Sequence, residues 1–295
     1  MIQNTIIHYD SSSWRRAFLS WEEKFVKDFT FRGITVSQFP SRSAFYKHRT
    51  RVFGKQRGKG KYTKALSNNI NVFDSNSDLD ADQVPDTGFT VWDASLLLGM
   101  YASRPKIWHR FISNLNKAPG VPITTLELGS GTGLASMLVA SSKAVQHLQY
   151  SHIEMFLTDL PALIDFTHFN VEKNKQNFPN HITLNLHPLR WGNCDDLQSL
   201  PPHARFPDVV FGADLIYTQD SNVIALLVET LASLVRPGCV AVFAVCTEHR
   251  VESVHLFISL MTQVGFDVEV VSATTVHRAL PATDDEFRVL ECWRK

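Results

Sequence analysis

The run "TTLELGSGTGL", Thr124 to Leu134, decides the fold of this chain. An apolar strand at 123–128 runs into a turn carrying Gly129, Gly131 and Gly133, and a helix-forming segment follows. Glycine-rich turns between a strand and a helix bring backbone close to a nucleotide. The spacing is G-x-G-x-G. A dinucleotide fingerprint would need glycine or alanine at 134, which is Leu134, and a phosphate loop would need Gly-Lys-Ser/Thr, which is absent. Glu127, at the strand end ahead of the glycines, would repel phosphate and suits a ligand with positive charge. S-adenosylmethionine meets these conditions: a nucleoside, no phosphate, an ammonium and a sulfonium.

Outward from this turn, strands and helices alternate. Strands are expected at 123–128, 153–158, 182–187, 207–212, 239–246, 267–272 and 286–292. Helices are expected at 91–102, 133–147, 161–175, 221–235 and 252–264. "RPG" at 236–238 stops one helix and re-enters a strand. The alternation predicts an α/β fold with a mostly parallel, doubly wound sheet. Ligands in such sheets bind at the carboxyl ends of strands near the topological switch point.

The unusual polar residues fall there. Asp159 ends the second strand. Its carboxylate can accept from both ribose hydroxyls, or it can cap the helix that starts at Pro161. It lies further from the glycines than the usual ~20 residues, so an insertion is expected around 143–152. Trp191, in Leu189-Arg190-Trp191-Gly192, is placed to lie against an adenine ring, or else to fill core. The fourth strand ends in Gly212-Ala213-Asp214-Leu215-Ile216-Tyr217. Gly212 and Ala213 allow close approach, and Asp214 and Tyr217 border whatever sits there. The fifth ends in Thr247-Glu248-His249-Arg250, either a substrate entrance or plain surface charge.

The chain has 295 residues, 44% of them hydrophobic, and zero formal net charge. That is enough for a sizeable core and, taken whole, is no polyanion binder. No run of about 18 apolar residues exists, so no membrane span is expected. The N-terminus lacks the basic-then-apolar order of a signal peptide. Cys194, Cys239, Cys246 and Cys292 form no C-x-x-C pair, so neither a disulfide framework nor a cysteine zinc site is expected. The expected location is the cytoplasm, the nucleus, or both. No H-E-x-x-H or G-x-S-x-G occurs, so neither a metal site nor a hydrolase is expected.

Three regions follow. Residues 1–40 read as an N-terminal extension, with an amphipathic helix at 12–29 (Trp14, Phe18, Trp21, Phe25, Phe29) and a strand or hairpin at 29–39. Residues 41–86 read as a charged insertion. From 29 to 73 there is no acidic residue, and from 74 to 86 there are five aspartates and no Lys or Arg. A solvated segment of limited order is expected, with contact to an acidic substrate or RNA as the alternative. Residues 87–295 read as the ligand-binding domain.

Together "TGFTVWDASLLL" (87–98), "LELGSGTGL" (126–134), "TDLP" (158–161) with Asn170 and Asn174 after it, "LRWG" (189–192) and "DVVFGADLIY" (208–217) resemble the seven-β-strand methyltransferases. Among these they are similar to the protein-lysine methyltransferases grouped as methyltransferase family 16. "FTFRGITVSQF" upstream and the closing "FRVLECWRK" also match that pattern. The resemblance implies a Rossmann-like, class I S-adenosylmethionine-dependent fold with a seven-stranded sheet. It implies that Trp92 contacts the cofactor's methionine portion and that Gly129, Ser130 and Gly131 give backbone contacts, within a turn completed by Glu127 and Gly133. Asp159 would hold the ribose, Trp191 the adenine, and Ala213 a backbone contact. Asp214 and Tyr217 correspond to a D-x-x-Y motif at the reacting centre, Asp214 accepting a hydrogen bond and Tyr217 orienting the incoming amine. The implied partner is a protein carrying the target lysine, an elongation factor or a chaperone, acted on by a monomer.

Two rival readings remain. The basic insertion raises an RNA methyltransferase, and a small-molecule methyltransferase stands beside it. Against RNA, the fourth strand lacks the Asn/Asp-Pro-Pro-aromatic motif of base-amine methylation, so nucleic acid is disfavoured. The other is a non-catalytic cofactor-binding scaffold, against which the intact glycine turn and D-x-x-Y argue. Substrate choice is expected to reside in the first 88 residues and in the loops beyond Tyr217.

Overall fold

The computed structural model describes residues 7–8, 28–53, 86–113, 115, 117, 121–146, 152–247, 250–272, 276 and 287–295. The helix expected at 12–29 falls almost wholly outside them. In chain order the strands are β1 (Ile7–His8), β2 (Phe29–Phe31), β3 (Ile34–Val36), β4 (Ile123–Leu128), β5 (Ile153–Asp159), β6 (Ile182–Pro188), β7 (Val209–Ala213), β8 (Val240–Cys246), β9 (Phe266–Ser272) and β10 (Phe287–Arg294). The helices are α1 (Arg42–Phe53), α2 (Asp93–Ala102), α3 (Pro105–Ser113), α4 (Leu134–Ala140), α5 (Lys143–Gln146), α6 (Pro161–Asn174), α7 (Cys194–Ser199), α8 (Ser221–Leu234) and α9 (Val251–Gln263).

Seven strands make one sheet in the order β6-β5-β4-β7-β8-β10-β9. All neighbours are parallel except β10, which runs antiparallel to both β8 and β9. Strand order reverses between β4 and β7, so the crevice above their carboxyl ends is the switch point. The central strands are buried on both faces, and the strand period of two divides their side chains between them. Val209, Phe211, Val240, Val242 and Ala244 face a core shared with α2, α3 and α4. Val210, Ala241, Phe243 and Val245 face the other, shared with α8 and α9. This is why β8 reads as a continuous apolar run and not as an alternation.

Local chemistry sets the boundaries. Gly133 has φ 77° and ends the glycine turn, so α4 starts at Leu134. The single helix expected at 133–147 is broken at Ser141-Ser142 into α4 and α5. Pro161 opens α6, where its missing N–H has no cost. Asn193 caps α7 by accepting from Asp196 N at 2.9 Å, and Asp220 caps α8 by accepting from Asn222 N at 2.9 Å.

Upstream, β2 and β3 form an antiparallel hairpin across Arg32-Gly33, both at positive φ (49° and 83°). Two left-handed central residues make the tight turn whose twist matches the strands. The expectation of limited order at 41–86 is corrected over 42–53, which is the helix α1. Its sequence carries little periodic apolar signal; an aromatic cluster holds it instead. Phe45 is fully buried, with ring centroids 5.2 Å from Phe166 and 6.0 Å from Phe89. Among the described residues, no helix is long and apolar enough to cross a membrane.

Candidate active site

A cavity of about 410 Å³ opens at the switch point. Its lining includes Trp92, Glu127, Gly129, Ser130, Gly131, Asp159, Trp191, Ala213, Asp214 and Tyr217. Gly133 stands apart: a Cβ there would meet Leu157, Thr167 and Met137, so its place is to turn the chain into α4. Sequence reasoning missed Thr87, Gly88, Thr90, Ser95, Leu163 and Arg190 as lining residues, and raised Arg250 only as part of an entrance segment.

The glycine turn is built from left-handed backbone. Gly129 and Gly131 have φ of 57° and 51°. A Cβ on Gly131 would lie 3.1 Å from the Gly88 carbonyl oxygen, so the 86–92 segment presses directly on the turn. Thr167 Oγ1 donates to Gly131 O at 2.7 Å, and Asn170 Nδ2 donates to Thr132 O at 3.2 Å. Ser130 N donates to Thr158 O at 3.0 Å.

Two carboxylates stand beneath the turn. Glu127 is buried and accepts from Ser136 N at 3.2 Å. Burial pushes its pKa up to about 7, the nearby Asp159 charge adds to the rise, and the Ser136 hydrogen bond opposes it. Asp159 accepts from Gly131 N at 2.7 Å and from Leu160 N at 2.7 Å. Burial raises its pKa to about 6 against those two donors. It therefore ties the glycine turn to its own strand end and does not cap α6, since its second bond goes to Leu160 N, ahead of the helix, and α6 has no side-chain cap. A carboxylate has about four acceptor positions, so two bonds leave capacity for a diol.

The opposite walls are set as firmly. Arg190 grips Asp196 through Nε and Nη2, both at 2.8 Å, while Arg190 N donates to the same carboxylate at 2.9 Å. Gly192 N donates to Thr230 Oγ1 at 2.8 Å. These bonds fix the turn that presents Trp191, whose Cζ2 lies 3.7 Å from where a Gly129 Cβ would sit. On the N-terminal side Trp92 Nε1 donates to Thr87 O at 2.9 Å.

Asp214 follows β7 with φ 56°, a left-handed conformation uncommon outside glycine but tolerated by Asp. Arg250 Nη1 donates to Asp214 Oδ1 at 2.7 Å. Tyr217 is 45% exposed at the cavity mouth, and burial together with the Asp159 charge raises its pKa. It therefore stays a phenol at neutral pH. Among the described residues, no group of three or more His, Cys, Asp or Glu side chains is placed to hold a metal ion.

The residues fit S-adenosylmethionine. Two buried acids complement a cationic ligand, the left-handed glycines leave room where a Cβ would stand, and the buried Ser130 hydroxyl lacks a partner of its own.

Comparison with known proteins agrees with this geometry. The family described as "Lysine methyltransferase", methyltransferase family 16, matches residues 74–264. The chain is 32% identical to the protein-lysine N-methyltransferase EFM3 of Chaetomium thermophilum, over 62% of this chain and 49% of that one. It is 32% identical to EEF1A lysine methyltransferase 3 of Xenopus tropicalis, over 50% and 52%. It is 26% identical to the protein-lysine N-methyltransferase rrg1 of Schizosaccharomyces pombe, over 61% and 54%. The chain spans about half the length of these relatives. With a family match over most of its length, and the switch-point cavity that the matched residues line, this chain belongs to the lysine methyltransferase family 16.

Proposed function

We propose that this protein is an S-adenosylmethionine-dependent protein-lysine N-methyltransferase. The observation that carries the reading is one cavity lined by the glycine turn, Asp159, Trp191, and the pair Asp214 and Tyr217. Membership of the family supports it. S-adenosylmethionine, when bound, supplies a methyl group on a sulfonium, open to in-line attack by an amine. Asp159 and Glu127 would hold its nucleoside and cationic parts, with Ser130 adding a hydroxyl and Trp191 a ring face.

The chain's own residues must then manage the amine. A free lysine has a pKa near ~10.4 and is mostly charged at neutral pH. Once the ammonium has lost a proton to solvent, Asp214 accepts a hydrogen bond from the neutral amine and aims its lone pair at the methyl carbon, whose bond to sulfur breaks as the bond to nitrogen forms. The Tyr217 phenol, at the mouth, orients the lysine stem as it enters. Both act by positioning, and a near-attack geometry lowers barriers by several kcal/mol. Leu226, 41% exposed and lining the same cavity, stands against Gly192 beside Trp191 and adds apolar surface at that end.

The relative named for EEF1A makes an elongation factor the first substrate to try. The test is incubation of the protein with methyl-labelled S-adenosylmethionine and cell lysate, followed by protease and ribonuclease arms and mass spectrometry of labelled bands. Label removed by protease and located on lysine supports the reading. Label removed by ribonuclease replaces it with an RNA methyltransferase.

A further inference from the structure

Two walls of the cavity are tied to the short segment 37–39 that follows the N-terminal hairpin. Gln38 is 2% exposed, and its Oε1 accepts from Thr90 Oγ1 at 2.9 Å and from Val91 N at 3.0 Å. Phe39 N donates to Phe89 O at 3.0 Å. These bonds hold the 86–92 wall, which carries the lining residues Thr90 and Trp92. The other wall is reached through Asn170 of α6, which is fully buried. Its Oδ1 accepts from Ser37 N at 2.8 Å, and its Nδ2 donates to Ser37 O at 3.3 Å and to Thr132 O in the glycine turn at 3.2 Å. One amide thus satisfies a strand-like edge and a turn carbonyl together.

We propose that Gln38 and Asn170 are positioning residues for cofactor binding, and that the N-terminal hairpin is a brace of the pocket. The inference rests on the S-adenosylmethionine reading of the cavity. The physical reason is pre-organisation: a wall held in its bound geometry loses no freedom when the ligand arrives. The two walls also touch, because Gly131 has no room for a Cβ beside Gly88 O. A small shift of the 86–92 segment therefore moves the glycine turn.

Asn174 provides the control. Its Oδ1 accepts from Thr35 N at 2.9 Å and its Nδ2 donates to Thr35 O at 2.7 Å. It grips the same hairpin without bonding to a residue that lines the cavity. The experiment is calorimetric titration of S-adenosylmethionine into the full chain and its variants, with the ligand-free melting temperature measured beside it. Gln38→Met and Asn170→Ala are expected to weaken binding roughly ten-fold, the loss of one or two buried hydrogen bonds. Asn174→Ala is expected to lower the melting temperature while leaving affinity within about two-fold, well below the effect of a lost bond to the wall. If Asn170→Ala does not fold, Asn170→Ser takes its place and Gln38→Met decides on its own. Wild-type affinity in Gln38→Met, or equal weakening by Asn174→Ala, overturns the proposal. A wild-type chain that binds no S-adenosylmethionine overturns the reading of the cavity, and the brace with it.

Discussion

The Arg250 guanidinium donates to Asp214 Oδ1 at 2.7 Å, joining the residue that caps α9 to the residue that follows β7. Asp214 is the acid proposed for the reacting centre, and only 9% of its side chain is exposed. This charge-assisted bond, with Cys246 N donating to the same oxygen at 3.4 Å, restricts how the carboxylate can turn. Arg250→Ala is expected to lower the methyl-transfer rate about ten- to a hundred-fold, the scale of a charge-assisted hydrogen bond, with S-adenosylmethionine affinity little changed. Arg250→Lys is expected to restore much of the rate, because the contact is a single charge-assisted bond that an ammonium can also donate. Steady-state kcat beside equilibrium binding checks this. Full activity in Arg250→Ala would show that Asp214 needs no partner to hold it.

The two acids beneath the glycine turn predict a pH effect with a definite sign. Burial raises Glu127 to about 7 and Asp159 to about 6. An acid raised in the folded state binds more protons there than when unfolded, so ligand-free stability falls as pH rises from the ordinary carboxylate range towards those values. A cationic ligand favours the ionised acids. Its affinity is therefore expected to tighten from about pH 5 to about pH 8, with protons released on binding. Titration calorimetry in buffers of different ionisation enthalpy measures that release. Glu127→Gln should raise the ligand-free melting temperature near about pH 8 and weaken binding. Affinity that is flat across the range would remove both acids from ligand recognition.

Gly131→Ala introduces a methyl group at φ 51° and 3.1 Å from a carbonyl oxygen. A non-glycine residue in a left-handed conformation costs about 1–3 kcal/mol, and the contact adds to it. Because the strain falls where the 86–92 wall meets the turn, cofactor affinity should drop more than stability does. Thermal melts and binding titrations on one preparation compare the two; intact binding would show that the turn can shift without consequence.

Away from the cavity, Glu291 of β10 is fully buried and takes contacts from Tyr101, Arg110 and Trp293. Deleting the acid leaves the buried Tyr101 hydroxyl without its acceptor, while Arg110, 39% exposed, can turn to water, so the cost is about 1–3 kcal/mol. Glu291→Ala is expected to lose stability on that scale while kcat, measured well below the melting temperature, stays near wild type. Denaturant unfolding gives the first value. A large fall in kcat would mean that this network reaches the active site.

Much of this was legible in the sequence, and the exceptions have physical causes. The central strands announced themselves because a doubly covered parallel sheet needs continuous apolar runs, as in Val240–Cys246, and β6 and β9 at the sheet edges by apolar-polar alternation. Asp159, Trp191 and Asp214 stood out because a polar or bulky residue at the end of such a run is anomalous, and all three line the cavity. Arg250 could not be assigned a partner, since nothing local links it to a residue 36 positions earlier. The helix α1 was read as a segment of limited order because its support is Phe89 and Phe166, far along the chain. Gly133 was counted with the ligand contacts because spacing alone does not separate a glycine that makes room for a ligand from one that turns the chain.

The central claim is that this cavity delivers a methyl group to a lysine amine. The most direct measurement is acid hydrolysis of a protein substrate incubated with this protein and methyl-labelled S-adenosylmethionine, followed by chromatography against methylated amino-acid standards. Label running with methyllysine, and absent when Asp214→Ala replaces the wild type, is the predicted result. Label on another amino acid, or equal label with Asp214→Ala, would contradict it.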